Sequence, residues 1–208
     1  MGDTEKKIIV STKTMRQDHT FVINLDRRPD RWVAVSRHLA EQGVAVTRFP
    51  AIDGGWKGCR DSHLAVMEKC KDKDVFMILE DDVLFVQPFP LAEYIIQTQL
   101  PEDWDCLYLG ASPKEPQERY SENLYRIKNS HVTHAIIWHN RPDGAVDYIL
   151  RHRAEIERID DYFVKEIQPI FNCFLTRPLV CIQTQTQSDT CKRSDVSTIG
   201  KNYQKYCK

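Results

Sequence analysis

Apolar residues in this chain fall into short unbroken runs, separated by stretches in which they recur at helical spacing. Runs over 20–25, 46–49, 75–79 and 105–110 predict strands, and shorter candidates follow over 124–127, 132–138, 173–176 and 179–183. Between the first two runs Trp32, Val35, Leu39 and Val44 repeat at helical intervals, Pro29 stands at an early helical position and Gly43 marks the end. A turn cluster, Ala51-Ile52-Asp53-Gly54-Gly55, leads into a second helix with Cys59, Leu64, Ala65 and Met67 toward the core. Pro88 and Pro90 break the chain before a helix over 91–99, and 111–123 reads as a polar, proline-bearing surface loop. A helix over 142–150 and an acidic helix start at Asp160-Asp161 complete the pattern. Alternating strands and helices followed by mixed short strands predict an α/β domain, with a mixed, mainly parallel central sheet and an antiparallel addition in its second half.

The run Val75-Phe76-Met77-Ile78-Leu79 passes directly into three acids, Glu80-Asp81-Asp82. In open α/β sheets ligands collect beyond the carboxyl ends of strands, so these carboxylates stand where a ligand belongs. Held so close they repel one another unless a cation lies between them, and hard oxygen donors select Mg²⁺ or Mn²⁺. A metal that holds phosphates follows. Residues 1–18 then read as a polar N-terminal segment and 19–208 as the domain. About 20–110 form its nucleotide-binding half and about 111–190 its acceptor half, ahead of a polar tail.

Composition narrows the partners. The formal net charge is -1, without the basic excess that nucleic-acid binding requires. No apolar stretch approaches the ~18–20 residues of a membrane span, and Ile8-Ile9-Val10 is too short for a secretory leader, so a cytoplasmic location is expected. Seven cysteines show no CxxC pair and no regular framework. Cys59, Cys106 and Cys173 read as reduced thiols in or beside apolar segments, while Cys191 and Cys207 flank a polar tail and are a candidate pair.

Four motifs together resemble glycosyltransferase family 25, which includes lipooligosaccharide sugar transferases and procollagen galactosyltransferases. They are Val22-Ile23-Asn24-Leu25-Asp26-Arg27-Arg28 with Asp30-Arg31, then Ala51-Ile52-Asp53-Gly54, Gly58-Cys59 with Ser62-His63, and Leu79-Glu80-Asp81-Asp82. The likeness is close over about 20–86 and thinner downstream, at Gly144-Ala145, Ile159-Asp160 with Tyr162-Phe163, and Ser188-Asp189-Thr190. It departs at Trp138-His139-Asn140, where the family has a small hydroxyl residue.

The resemblance implies a GT-A-like domain that binds a nucleotide sugar, commonly UDP-linked, with Mn²⁺ or Mg²⁺ at the carboxylates. The expected metal ligand is Asp82, with Glu80 beside it and Asp81 on metal-bound waters or sugar and ribose hydroxyls. Asn24, Leu25, Arg27 and Arg31 at the first strand's end would hold base, ribose and phosphate, and Asp53 with Gly54 a ribose hydroxyl. Ser62, His63, Ser188 and Asp189 complete the expected donor site. Collagen-type members invert, and direct displacement needs a base for the acceptor proton; Asp160 is the candidate, with Asp161 raising its proton affinity. The acceptor would be a hydroxyl on a glycan or on hydroxylysine of a collagen-like protein. Competing readings are a non-catalytic nucleotide-sugar-binding module and a Mg²⁺-dependent phosphohydrolase.

Overall fold

A computed structural model describes residues 17–184 and 197–207. Its first half alternates β1 (Thr20–Asn24), α1 (Pro29–Glu41), β2 (Thr47–Pro50), α2 (Trp56–Lys69), β3 (Val75–Glu80), β4 (Val83–Phe85), α3 (Phe89–Thr98) and β5 (Cys106–Tyr108). Then come β6 (Ser112–Pro113), β7 (Glu118–Arg119), β8 (Leu124–Arg126), β9 (Ser130–His131) and β10 (Ala135–His139). The chain finishes with α4 (Ala145–Arg151), α5 (Ile159–Tyr162), β11 (Cys173–Thr176), β12 (Cys181–Gln183) and α6 (Ser197–Tyr206).

Eight strands form the central sheet in the order β2-β1-β3-β10-β5-β11-β8-β7. β1 pairs parallel with β2 and β3, and β5 pairs parallel with β11. β10 and β8 run against their neighbours, which leaves six of the eight strands in one direction. The class is thus α/β with a mixed, mainly parallel sheet, as the alternating pattern predicts.

Helices cover both faces of the sheet. On one, Phe76 and Ile78 of β3 pack with Val66 and Met67 of α2, Val146 and Ile149 of α4 and Ile159 of α5. On the other, Met77 and Leu79 pack with Val35 and Leu39 of α1 and Ala92 and Ile95 of α3. Neighbouring residues of β3 therefore face different helices, which decides where each acid beyond it points.

Three expectations are corrected. Residues 111–119 are not a plain surface loop: Ala111, Ser112 and Gln117 are buried, and Gln117 donates to the carbonyl of Lys128 (2.8 Å) and accepts from its N–H (2.7 Å). The buried face of α2 is Gly58, Ser62, His63, Val66 and Met67; Cys59 and Leu64 pack partly buried against the core as expected, and Ala65 lies at its margin. Ser62 and His63 can occupy the inward positions because each finds a polar partner there. The strand expected over 179–183 is shorter and joins no part of the main sheet; β12 pairs with β4 in a separate ribbon.

Candidate functional site

β2, β1 and β3 are parallel neighbours, so their carboxyl ends open on one edge of the sheet. Asn24 and Leu25 leave β1 there, Ala51 to Gly55 leave β2, and Glu80, Asp81 and Asp82 leave β3. Close packing of the β2–α2 turn depends on glycine. Gly54 and Gly55 have φ of 138° and 61°, and a Cβ on Gly58 would lie 2.1 Å from the carbonyl oxygen of Ile52. Ser62 ties the same turn down, accepting from the Ile52 N–H (2.8 Å) and donating to the Gly58 carbonyl (2.7 Å).

These segments line a cleft that opens to solvent at the sheet edge. Ile23, Leu25, Ala51 and Ile52 give it apolar surface, Arg27, Arg31 and Asp53 line it with charge, and Cys59, Ser62, His63 and the three acids complete it. Sequence motifs from three separate stretches thus meet at one place.

Each acid has its own surroundings. Glu80, on the α2 side of β3, lies 3.2 Å from His63 Nε2 and accepts from Thr133 Oγ1 (2.7 Å). Burial pushes the Glu80 carboxyl up, but His63 and Thr133 outweigh it and leave Glu80 below its ordinary value. Asp81 turns to the α1 side, where Arg31 Nη1 donates to Oδ1 (2.8 Å) and Asn24 Nδ2 to Oδ2 (2.7 Å). That ion pair is enclosed, its side chains 9% and 10% exposed. Asp82 accepts from Gln183 Nε2 at 3.3 Å, while its other oxygen, Oδ1, is buried without a hydrogen-bond partner. Burial, and then the charges of Glu80 and Asp81, push the Asp82 carboxyl up to about 7.

This arrangement fits a hard divalent cation at Asp82. An enclosed carboxylate oxygen with nothing to bond, beside two further carboxylates, is the donor that such an ion satisfies. Asp81 is committed on both oxygens to Arg31 and Asn24.

Other expected residues are distributed as follows. Asn24 does not line the cleft; it is buried, holds Asp81, donates to the Arg28 carbonyl (3.0 Å) and accepts from Arg48 Nε (2.8 Å). Arg27 reaches Asp53 (3.2 Å) at the exposed mouth, and that pairing holds the Asp53 carboxyl below its ordinary value. Gly54 shapes the turn, and Gly55 rather than Gly54 touches the cleft. Asp160 and Asp161 stand in the first turn of α5, outside the cleft lining, and gather with His131; one ligand atom from each lies within 4.8 Å of the others. Arg158 meets both carboxylates, at 3.4 and 3.3 Å. Burial lowers the proton affinity of His131, partly countered by Asp160. Ser188, Asp189 and Cys191 lie outside the described residues; Cys207 carries a free thiol.

Thr133, Arg48 and His131 are contributions that sequence reading misses, since their partners are remote and no local pattern marks them. Cys59 is different: with His63 it forms an i,i+4 pair on one helix, a signal present in the sequence.

No family model matches the chain. Procollagen galactosyltransferase 2 of Homo sapiens is 30% identical in a 141-residue alignment covering 49% of this chain and 22% of that protein. A glycosyltransferase 25 family member of Aedes aegypti is 27% identical over 130 residues, 46% of this chain and 21% of that protein. The chain spans about a fifth of the length of these curated relatives. Among solved structures, the A197 protein from STIV aligns with a TM-score of 0.47 and 10% identity, over 81% of this chain and 86% of that one. No helix among the described residues is long and apolar enough to cross a membrane. Over about half its length, the chain is similar in sequence to proteins named procollagen galactosyltransferase 2 and glycosyltransferase 25 family member.

Proposed function

We propose that the chain is a metal-dependent glycosyltransferase with a GT-A-like fold, moving a hexose, galactose or glucose, from a UDP-sugar to a hydroxyl acceptor with inversion. The acceptor would be a glycan or a collagen-like protein. One observation carries the reading: the enclosed, partnerless Asp82 oxygen lies where three parallel strand ends converge on a cleft, beside a buried arginine. The sequence relationship to named galactosyltransferases supports the same class of reaction.

In this reading the apolar wall of Leu25 and Ile52 takes the base, and Asp53 at the mouth accepts from a ribose hydroxyl. Arg31 gives the cleft a fixed positive charge opposite the diphosphate while it holds Asp81 in place. A Mn²⁺ or Mg²⁺ ion held by Asp82, with Glu80 alongside, supplies Lewis-acid stabilisation of the departing diphosphate when bound. The acceptor oxygen bonds to the anomeric carbon as that carbon's bond to the diphosphate breaks, and Asp160, next to Asp161 and His131, takes the hydroxyl proton.

The test is UDP release across a panel of UDP-sugars with Mn²⁺, in wild type, Asp82→Ala and Asp160→Asn. Turnover with one donor that falls at least ~10²-fold in Asp82→Ala, with the fold intact, supports the proposal. Equal turnover in wild type and Asp82→Ala contradicts it. A second reading, a nucleotide-sugar-binding module without transfer, is favoured by the position of Asp160 and Asp161 outside the cleft lining and against Arg158. UDP and Mn²⁺ binding with no release in the presence of any acceptor would select it.

A further inference from the structure

The carboxylate edge carries a second set of donors of different chemistry. Cys59 and His63 stand one helical turn apart on α2 and project toward the end of β3, where Glu80 closes the group. A Cys59 Sγ, a His63 ring nitrogen and a Glu80 carboxylate oxygen all lie within 4.8 Å of one another, and all three residues line the cleft. His63 is buried, with Nε2 toward Glu80 and Nδ1 enclosed without a hydrogen-bond partner, so the ring has unused capacity. Thiolate, imidazole and carboxylate are together a poor set for Mg²⁺ or Mn²⁺ and a good one for Zn²⁺. Tetrahedral bonds of about 2.0–2.3 Å put donors roughly 3.3–3.7 Å apart, so a pair at the 4.8 Å limit needs to draw in by about 1.1–1.5 Å.

We propose that Cys59, His63 and Glu80 form a Zn²⁺ site in the wall of the cleft, separate from the hard-cation position at Asp82. Three protein ligands leave the fourth coordination position facing the cleft, open to water or to a ligand bound there. Binding transfers the Cys59 thiol proton to solvent. Because Glu80 serves both positions, Zn²⁺ at this site withdraws it from the Asp82 cation. This inference stands on the three side chains alone and does not depend on sugar transfer.

The experiment titrates the full chain with Co²⁺ as a spectroscopic stand-in for Zn²⁺. Expected are saturation at one ion per chain, the near-ultraviolet band of a cobalt–thiolate bond with tetrahedral visible bands, and displacement of both by Zn²⁺. In Cys59→Ser the thiolate band disappears, and in His63→Gln affinity falls at least ~10-fold. A thiolate band that persists in Cys59→Ser, or only weak octahedral bands in wild type, would overturn the proposal. A wild-type measurement covers variants that fail to fold: Zn²⁺ should slow alkylation of Cys59, followed by peptide mass spectrometry, at least ~10-fold. An unchanged alkylation rate would also overturn it. Neither readout uses a nucleotide sugar, so these outcomes and those of the transfer assay are independent.

Discussion

The chain has two acid groups that look alike on paper, Glu80-Asp81-Asp82 and Asp160-Asp161, and the fold treats them differently. The first lies beyond a buried parallel strand, where adjacent residues diverge onto different helices and each carboxylate is fixed separately, by His63 and Thr133, by Arg31 and Asn24, or by Gln183. The second lies in the first turn of a short helix, 30% and 40% exposed, with one guanidinium, Arg158, serving both. Charge alone therefore says little. What makes an acid run informative is the element before it: a strand end buries and separates the groups, whereas a helix start leaves them solvated near favourable backbone N–H groups.

The contrast is sharpest in stability. Arg31→Met leaves Asp81 charged and enclosed without its guanidinium, and a loss of ~3–5 kcal/mol in urea unfolding is expected. A loss under ~1 kcal/mol would mean that the pair behaves as a solvated one. Next in size is catalysis: Asp82→Asn should lower donor turnover at least ~10²-fold while the unfolding midpoint is retained or raised.

Asp82 also makes the metal-free fold pH-sensitive. Its folded proton affinity is raised to about 7 by burial and by Glu80 and Asp81, against ~3.9 unfolded. The protonated form is thus the one the fold favours, so this contribution is complete below pH ~4 and is lost as pH rises toward 7, at up to ~1.4 kcal/mol per pH unit. Unfolding curves of wild type and Asp82→Asn in chelator should diverge over that window, with the variant the more stable at pH 8. Parallel curves would contradict the assigned environment. The smallest effect belongs to the helix: Asp161→Asn should change stability by less than ~1 kcal/mol, because the pair with Arg158 is partly solvated. A larger loss would erase the distinction between the two groups.

Much of the cleft is legible without coordinates. β1, α1 and β3 announce themselves by apolar period and by Pro29 and Gly43, and three parallel strand ends then bring Leu25, Asp53 and Glu80 together. Features that depend on remote hydrogen bonds are not legible. Thr133 reaches Glu80 across 53 residues, and β4 is a three-residue strand defined by its partner β12. The inward face of α2 defeats a hydrophobicity reading because its buried positions include Ser62 and His63, whose satisfaction by Ile52, Gly58 and Glu80 appears only in three dimensions. Asn24 is recognisable as a motif residue, but its work of steadying Asp81 and receiving Arg48 is not.

If the Asp82 edge grips a diphosphate through a divalent cation, nucleotide and metal must bind cooperatively. Calorimetric titration of UDP into the metal-free chain, repeated with Mn²⁺ and then with Asp82→Asn, tests it directly. Mn²⁺ should tighten UDP binding at least ~10-fold in wild type and have no such effect in Asp82→Asn. Equal UDP affinity with and without Mn²⁺ in wild type would contradict it.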